Sequence, residues 1–310
     1  MTSERVVWLP YPDLETAEAA VGELPEGVRF EPWVKATELP ESVADVEFAV
    51  VPYMTSTEAL DRAGEMTSLK VLQLQSAGFE NVLPRVPDGV TLCNGGGIHD
   101  TSTAELAIAL ALASGRRLDR FARQQADRQW APAWGRSLAD QHVGILGYGR
   151  IGQAIEARLA GFEVASVTRF ARRPRTEPEV LAVDELADRL PRITVLFVIT
   201  PLTDQTEGLL DAAMLARLPD DALVVNVSRG KVVDTDALLA ETSSGRLSAA
   251  LDVVDPEPLP ADHPLWDVPN VVLAPHVGGY SSAFEPRRDR LVAAQLRRFA
   301  AGEPLENVVN

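Results

Sequence analysis

The sequence predicts an α/β protein with two domains, each built around a doubly wound parallel sheet. Short apolar segments alternate with helix-like segments along most of the chain, and its 310 residues are enough for two hydrophobic cores. A glycine-rich turn follows an apolar segment near the middle of the sequence. Alternation of strands and helices is typical of a parallel sheet covered by helices on both faces.

The first third of the chain contains the elements of the first domain. Runs rich in Val, Leu, Phe and Trp predict strands over 5–9, 46–51, 70–74 and 90–93. More polar segments between them predict helices over 13–22 and 57–64. Continuous apolar runs are expected for strands buried on both faces.

The segment after this domain begins with a sharp turn, because Asn94 is followed by three consecutive glycines. Asp, Ser and Thr side chains then offer N-cap groups to a helix over 101–114, and Glu105 complements its start. This helix is apolar on nearly all sides, so we expect it to be buried between domains or between subunits. A more polar helix is predicted over 118–129.

The alternation resumes in the second half of the chain with stronger strand signals. Strands are predicted over 143–146, 163–168, 193–199, 222–227, 247–251 and 270–273. Helices are predicted between them over 184–190, 211–217 and 234–242. The ligand of such a sheet should lie beyond the carboxyl ends of its strands. A last helix over 283–301 is expected to cross back and cover the first domain.

The glycine-rich turn has G-x-G-x-x-G spacing between a short apolar strand and a helix over 150–160. Gly147 permits a tight turn, Gly149 lets a diphosphate approach the bare backbone, and Gly152 lets the helix pack closely on the strand. The helix N-terminus offers unpaired N–H groups and the positive end of its dipole to an anion. The pattern therefore predicts a dinucleotide-binding site.

Composition argues against several classes of function. The net charge of −16 disfavours nucleic acid or an anionic membrane as a general partner. The single cysteine, Cys93, excludes an intramolecular disulfide, and the four histidines are too scattered to indicate a metal site. No signal peptide is apparent, and the longest apolar segment, over 104–113, is too short to span a bilayer. We therefore expect a cytoplasmic enzyme or binding protein without a metal.

Residues that can do chemistry follow three predicted strands of the second domain. Arg229 follows the strand over 222–227, Asp252 and Glu257 follow the next strand, and His276 follows the last one. The carboxyl ends of parallel strands lie at the same edge of a sheet. One cation, two carboxylates and one imidazole are therefore expected beside the dinucleotide turn.

Several segments resemble the motifs of one enzyme family. The segments around these residues are 226–234, 251–258 and 274–279. Further segments that match are 75–82, 103–105, 200–206 and 302–310. On these motifs and the glycine turn, the chain is identified as a member of the D-isomer-specific 2-hydroxyacid dehydrogenases, and it is similar to their glyoxylate/hydroxypyruvate reductase-like branch.

The resemblance implies a domain architecture and an assembly. A Rossmann cofactor domain, residues 94–280, is expected to be inserted into a split flavodoxin-like substrate domain formed by 1–93 and 281–310. The insertion accounts for the position of the glycine turn near the middle of the chain. The resemblance also implies a homodimer, which we expect to form through the apolar helix over 101–114.

The resemblance also implies catalytic roles. Arg229 would bind the substrate carboxylate and polarise the 2-oxo group, which requires a permanent, forked donor. His276 would donate a proton to the carbonyl oxygen as hydride reaches the carbon. Glu257 would hydrogen-bond His276 and favour its protonated form. Backbone N–H groups of Ala77 and Gly78 would complete the carboxylate site.

Cofactor contacts are expected along the carboxyl edge of the second sheet, with Asp252 at the nicotinamide end. The other residues implied here are Gly147, Tyr148, Gly149, Arg150, Ile151, Gly152, Thr200, Pro201, Thr206, Ser228 and Gly278.

The residues that would select between NAD and NADP lack an acidic group. An acidic residue at the end of the second strand would bind the ribose 2′-hydroxyl of NAD. The alignment puts Thr168 at that position, followed by Arg169, Arg172, Arg173 and Arg175. A hydroxyl and guanidinium groups can bind a 2′-phosphate. The sequence therefore predicts NADP(H) as the preferred cofactor, with NAD(H) possible; a solvated basic loop is the alternative interpretation.

Two residues after the strand over 46–51, Tyr53 and Met54, are candidates for the wall that faces the third carbon of the substrate. Their bulk favours a small or apolar substituent, and a role in the core is the alternative. Tyr280 stands where many relatives have threonine.

The main hypothesis is an NADPH-dependent reductase of a small anionic 2-oxoacid, such as glyoxylate or hydroxypyruvate. An NAD-linked D-2-hydroxyacid dehydrogenase or a phosphite-type dehydrogenase is the alternative enzyme within the same superfamily. A nucleotide-sensing binding protein, similar to the transcriptional corepressors of this superfamily, is the alternative from another class. The catalytic residues do not exclude it, because those relatives retain them.

Overall fold

The computed structural model describes residues 4–53 and 60–310, and the chain divides into two compact units. Met1–His99 with Ser282–Asn310 forms the first unit, and Asp100–Ser281 forms the second. The first boundary lies after residue 99 rather than after residue 93. The reason is that Asn94 and Gly95 donate backbone hydrogen bonds to residues of the first unit.

In the described part of the first unit, five parallel strands form one sheet. They are β1 (Arg5–Leu9), β2 (Val28–Pro32), β3 (Val46–Val50), β4 (Val71–Gln73) and β5 (Thr91–Cys93). Their order is β2-β1-β3-β4-β5, which is the flavodoxin-like order. Helix α1 (Leu14–Val21) begins at Asp13, whose side chain accepts the N–H of Thr16.

Both faces of this sheet are buried, because successive side chains of a strand point to opposite faces. Trp8 and Leu72 lie in the core on one face. Val7 and Phe48 lie in the core on the other face, where they meet Phe299 of the final helix. The final helix therefore covers the first unit, as the sequence predicts.

The C-terminal tail runs beside β5. Val308 forms an antiparallel bridge with Cys93, and the Val309 N–H donates to the Leu92 carbonyl at 3.0 Å. These bonds connect the end of the chain to the strand that leads into Asn94.

The second unit contains a sheet of eight strands in the order β13-β12-β11-β10-β6-β7-β9-β8. The strands are β6 (His142–Leu146), β7 (Ser166–Ala171), β8 (Arg175–Thr176), β9 (Glu179–Ala182), β10 (Val195–Val198), β11 (Leu223–Asn226), β12 (Ser248–Leu251) and β13 (Val271–Leu273). They pair in parallel, except that β8 and β9 form an antiparallel hairpin.

The second unit also contains six α-helices. They are α2 (Asp100–Gly115), α3 (Leu118–Ala126), α4 (Arg150–Leu159), α5 (Leu186–Arg189), α6 (Ala212–Leu215) and α7 (Thr235–Ser243), and the final helix of the chain is α8 (Phe284–Ala301). The strand order reverses between β6 and β10, which creates a topological switch point. In open α/β sheets, ligands bind beyond the carboxyl ends of the strands at this point.

Helix α2 is buried within its own unit. Ala104, Ala107 and Leu110 are buried where the helix packs on α4, β11 and β12. Glu105 and Ala109 remain exposed. The all-round apolar composition of this helix is therefore largely explained by contacts inside the second unit.

The second strand of the second unit is the main error of the sequence prediction. It is predicted over 163–168, but β7 begins at Ser166 and continues to Ala171. Glu163 adopts a left-handed backbone with φ of 55°, and its carbonyl accepts the N–H of Asp140 at 3.0 Å. The residues before Ser166 are therefore held in a turn, and the strand starts and ends later than predicted.

Three further differences concern short or weakly apolar segments. The edge strand β2 is not predicted, because its side chains are only partly buried and it ends at a proline. The hairpin of β8 and β9 is not predicted, because its tip is polar and exposed. The predicted helix over 57–64 begins outside the described residues, and Ala63–Glu65 is a short 3-10 turn.

Among the described residues, no helix is long and apolar enough to cross a membrane. In the same residues, no group of three or more His, Cys, Asp or Glu side chains could hold a metal ion.

Candidate active site

The glycine turn lies at the switch point, directly after β6. Gly147 has a φ of +107°, which strongly favours glycine, and a Cβ there would lie 2.6 Å from the carbonyl of Ile199. A Cβ on Gly152 would lie 2.6 Å from the Gly147 carbonyl oxygen. The tight turn and the close packing of α4 therefore both require the absence of a side chain.

The middle glycine has a different environment. A Cβ on Gly149 would meet nothing within 4 Å, so the backbone is open on that side. Gly149 is the N-cap of α4, whose first N–H groups, beginning at Arg150, have no partner within the helix. An open backbone at a helix N-terminus fits the diphosphate of a dinucleotide. The side chain of Arg150 turns to Asp100, with 2.8 Å between Nε and Oδ2.

The loop after β10 lies against this turn. Thr200 and Thr206 are buried, and the Thr206 hydroxyl donates to the Pro201 carbonyl at 2.7 Å and accepts the Thr203 N–H at 2.8 Å. The Thr206 side chain therefore shapes the loop that faces the dinucleotide position.

The residues at the end of β7 require a correction. Thr168 pairs with Gly144 in the middle of the sheet, and the strand ends at Ala171. The prediction that Thr168 stands at the strand end is therefore wrong, because the strand begins later than expected. Ala171 occupies that end, and Arg172 and Arg173 follow it.

Arg169 has a partner within the second unit. Its guanidinium forms a two-pronged ion pair with Glu156 of α4, with 2.7 Å between Nε and Oε2. The Tyr148 hydroxyl donates to the same carboxylate, and Tyr148 is buried beneath Arg169 and Arg175. Arg175 also donates to the Tyr148 carbonyl at 2.7 Å. Arg169, Arg175 and Glu156 therefore hold Tyr148, which lies within the glycine turn.

Arg172 and Arg173 differ from these two arginines. Both side chains are exposed, and neither forms a hydrogen bond or ion pair with residues 4–53 or 60–310. Two guanidinium groups therefore stand beside the end of β7 without a protein carboxylate to neutralise them.

Arg229 follows β11 on a turn that is shaped by Asn226. The buried Asn226 side chain accepts the Ser228 N–H at 3.1 Å and the Ser228 hydroxyl at 2.8 Å. It also donates to the Arg229 carbonyl at 3.1 Å. Arg229 itself is partly exposed and donates to the Ser228 carbonyl at 2.7 Å. Asn226 therefore supports the turn that carries Arg229, a role that the sequence patterns do not predict.

Asp252 holds the backbone around His276. Asp252 is 3% exposed, and its carboxylate accepts the N–H groups of Val277 at 2.7 Å and Gly278 at 2.9 Å. Its carbonyl accepts the His276 N–H at 2.8 Å, and His276 has a φ of 54°. Burial raises the pKa of the Asp252 carboxyl, and its backbone hydrogen bonds oppose this rise.

His276 and Glu257 form a hydrogen-bonded pair. The imidazole Nδ1 contacts Oε1 of Glu257, and both side chains are partly exposed. This hydrogen bond to a carboxylate is the largest of the effects that raise the pKa of His276, and Asp252 adds to the rise. The partly exposed imidazole is therefore kept protonated to higher pH than an ordinary histidine.

The predicted substrate residues Ala77 and Gly78 lie in the first unit, in the loop after β4, and are partly exposed. Tyr53 follows β3, where its ring packs on Phe284 with 4.4 Å between centroids and on His99 at 5.5 Å. Met54 lies outside the described residues. Tyr280 is 57% exposed, and nothing in the structure explains the tyrosine at this position.

Hydride transfer to a carbonyl group requires a proton donor, a group that polarises the carbonyl and a bound nicotinamide. The imidazole with its carboxylate partner, the arginine and the dinucleotide turn can serve these needs, and all lie at one edge of the second sheet. The second unit therefore has the features of a nicotinamide-dependent oxidoreductase. A family model described as D-isomer specific 2-hydroxyacid dehydrogenase, NAD binding domain, matches residues 108–278. The chain belongs to this family of NAD(P)-dependent oxidoreductases, so the family identification made from the motifs is confirmed.

Individual relatives agree with this assignment. Glyoxylate reductase/hydroxypyruvate reductase of Homo sapiens is 35% identical over 260 residues, which cover 79% of this chain and 78% of that protein. Glyoxylate reductase of Thermococcus kodakarensis is 31% identical over 315 residues, which cover 94% of this chain and 93% of that protein. A crystal structure of an NADPH-dependent glyoxylate/hydroxypyruvate reductase from Sinorhizobium meliloti, in complex with NADP and sulfate, has a TM-score of 0.82 and 28% identity. It covers 99% of this chain and 98% of that one.

We expect Glu257→Gln to move the alkaline limb of the kcat/KM profile for 2-oxoacid reduction to lower pH. The family resemblance assigns proton donation to His276, so we expect the rate of reduction to fall as pH rises through the raised pKa of this imidazole. Glutamine removes the charge that raises this pKa. Steady-state kinetics across pH measure the shift. Glu303→Gln, at an exposed carboxylate of the first unit, should leave the profile unchanged. An alkaline limb that stays in place in Glu257→Gln would contradict the assignment.

Proposed function

We propose that this protein is an NADPH-dependent reductase of small 2-oxoacids such as glyoxylate or hydroxypyruvate, with a D-2-hydroxyacid as product. The observation that carries the proposal is the His276–Glu257 pair, which stands at the same sheet edge as Arg229 and the glycine turn. The named relatives support the same substrate class.

His276 acts as the proton donor. Its Nδ1 is bound to Glu257, so Nε2 is the nitrogen that gives a proton to the carbonyl oxygen of the substrate. Glu257 fixes the ring and favours the imidazolium. In the oxidative direction, the neutral imidazole takes the proton from the hydroxyl group. A bound nicotinamide supplies or accepts the hydride.

Arg229 binds the substrate carboxylate and polarises the 2-oxo group, because its permanent charge and planar fork suit two oxygens at once. In the first unit, the backbone N–H groups of Ala77 and Gly78 are the proposed donors to a carboxylate. The aromatic cluster of Tyr53, His99 and Phe284 forms an apolar wall, which favours a small substituent on the substrate.

The dinucleotide is held by the turn of Gly147 and Gly149 and by the N-terminus of α4. Arg172 and Arg173 bind the 2′-phosphate of NADPH, since both are exposed and follow Ala171 at the end of β7. These residues replace Thr168 and Arg169 in that role. The relative from Sinorhizobium meliloti, crystallised with NADP, supports the same cofactor preference.

Turnover of a panel of 2-oxoacids with NADPH and with NADH, followed at 340 nm, tests the proposed function. We expect the highest kcat/KM for a small 2-oxoacid with NADPH. His276→Ala should lower kcat by about 100- to 10,000-fold, because general acid catalysis contributes an effect of this size. The variant should still bind NADPH. Tight NADPH binding by the wild type without turnover of any 2-oxoacid would favour the nucleotide sensor, and NAD-linked oxidation of phosphite would favour the other enzyme.

The double variant Arg172→Ser, Arg173→Ser should raise KM for NADPH by about 10- to 100-fold, because charge-assisted hydrogen bonds to the 2′-phosphate are lost. The KM for NADH should change little. Arg192→Ser is the matched control, since this exposed arginine precedes β10 and so lies at the amino ends of the strands, away from the proposed cofactor site. An equal loss for both nucleotides, or no loss at all, would contradict the proposed phosphate site.

The homodimer is proposed to form through α3 and the segment after it rather than through α2. No residue of α3 is buried, and Trp130 and Trp134 are 99% and 95% exposed. Large apolar side chains with this exposure are typical of interaction surfaces. Residues 116–136 carry six arginines and two aspartates in a chain of net charge −16, so they complement the acidic surface of a second copy.

Sedimentation velocity tests the dimer. The wild type should sediment as a dimer, and the double variant Trp130→Ser, Trp134→Ser should shift toward the monomer because it loses the apolar surface. Trp266→Ser, at a tryptophan that is 52% exposed, is the control and should remain dimeric. A monomeric wild type would overturn this assignment.

A further inference from the structure

The loop that contains Ala77 and Gly78 is held by its carbonyl groups. The Ser76 carbonyl accepts the Gly95 N–H at 2.6 Å, and the Ala77 carbonyl accepts Nδ2 of Asn94 at 2.8 Å. The Gly78 carbonyl accepts the Ser76 hydroxyl at 2.8 Å. Three consecutive carbonyls of the loop therefore have donors within the first unit.

The orientation of these carbonyls determines where the N–H groups point. In a planar trans peptide, the carbonyl and the N–H of the same unit point in opposite directions. The Gly95 N–H and the Asn94 amide bind the Ser76 and Ala77 carbonyls on one side of the loop. The N–H groups of Ala77 and Gly78 therefore point to the other side of the loop. Neither N–H donates to any acceptor in the described part of the chain.

Asn94 is itself held in one orientation. Its Oδ1 accepts the Gly96 N–H at 3.0 Å, while its backbone N–H donates to the Asn307 carbonyl at 3.0 Å. Asn307 in turn donates from Nδ2 to the Gly96 carbonyl at 2.9 Å. Rotation of the Asn94 amide by half a turn would lose both of its side-chain hydrogen bonds. The tail of the chain therefore supports the residue that binds Ala77.

The two segments approach each other too closely for any side chain between them. A Cβ on Gly95 would lie 2.5 Å from the Gln75 carbonyl oxygen. The Gln75 side chain is 3% exposed and donates to the Val51 carbonyl at 2.7 Å, which connects the loop to the end of β3. The loop is thus held from two sides by the backbone of its own unit.

We infer that Asn94 is a positioning residue for substrate binding. Its amide holds the Ala77–Gly78 peptide so that the Gly78 N–H is presented to the substrate carboxylate, beside the Ala77 N–H of the peptide that the Gly95 N–H holds. Asn94 acts only through the peptide that it holds and does not itself bind the carboxylate. This inference rests on the proposed function, which assigns those N–H groups to a 2-oxoacid.

Asn94→Asp is the most direct test, because it keeps the size of the side chain and the acceptor for Gly96 but replaces the donor to Ala77 with an acceptor. We expect KM for the 2-oxoacid and Ki for oxalate to rise by about 10- to 100-fold. The Kd of NADPH and the thermal midpoint should change little, and kcat should fall less than KM rises. Asn94→Ala is the second variant and should show the same selective rise.

Asn310→Asp is the matched control. The Asn310 side chain also donates to one backbone carbonyl, of Val90 at 2.8 Å, and accepts one N–H, of Leu92 at 2.9 Å. It lies in the same tail but does not bind the Ala77 loop. Its KM and Ki should stay at wild-type values.

Three outcomes would overturn the inference, and they differ from one another. Unchanged KM and Ki in both Asn94 variants, with an active wild type, would overturn the positioning role and leave the proposed function standing. An equal loss in Asn310→Asp would assign the effect to general loosening of the tail. A wild type without turnover of any 2-oxoacid would overturn the proposed function itself, and with it the role of Asn94.

Discussion

The hydrogen bonds from the Val277 and Gly278 amides to the buried Asp252 carboxylate hold the backbone that carries His276. A buried carboxylate is costly unless its oxygens are hydrogen-bonded, and these two N–H groups supply one bond to each oxygen. A Cβ on Gly278 would lie 2.8 Å from Oδ2 of Asp252, so a side chain there would disturb this contact. The left-handed backbone of His276 and its approach to Glu257 depend on this arrangement.

Polar side chains also hold the backbone at the other strand ends of the second unit. Asn226 shapes the turn that carries Arg229, and Thr206 shapes the loop after β10. Glu156 binds Tyr148 and Arg169 behind the glycine turn. His276, the turn of Arg229, the loop after β10 and the glycine turn are therefore each supported by a buried or partly buried polar residue. Such support is what a site needs in order to keep its geometry before the ligand arrives.

The sequence predicts those parts of the fold that have periodic or steric signals. Continuous apolar runs identify β6 and β10 to β13 to within a few residues, and the glycine spacing identifies the turn whose sterics require glycine at Gly147 and Gly152. The family motifs place His276 and Glu257, which lie in contact. These features are predictable because each depends on residues close together in the sequence or on a spacing that the fold imposes.

The features that the sequence does not predict depend instead on contacts between residues far apart in the chain or on single backbone turns. The start of β7 depends on the left-handed turn at Glu163, which composition does not indicate, so the strand end is misplaced at Thr168. The pairing of Arg169 with Glu156 is a contact between a strand and a helix that no local pattern shows. The roles of Asn226 and Asn94 rest on side-chain hydrogen bonds to the backbone of nearby turns and loops. A short polar residue after a strand gives the same signal whether it shapes a site or faces solvent.

We propose that the hydrogen bond with Glu257 keeps His276 protonated at the pH where the 2-oxoacid is reduced. Titration of the histidine side chains by 15N NMR measures this directly, and the His276→Gln spectrum assigns the signal among the four histidines. We expect the His276 imidazole to titrate above the ordinary pKa of about 6.5 and Nδ1 to keep its proton across the transition. Titration at or below the ordinary value, with both nitrogens exchanging freely, would contradict it.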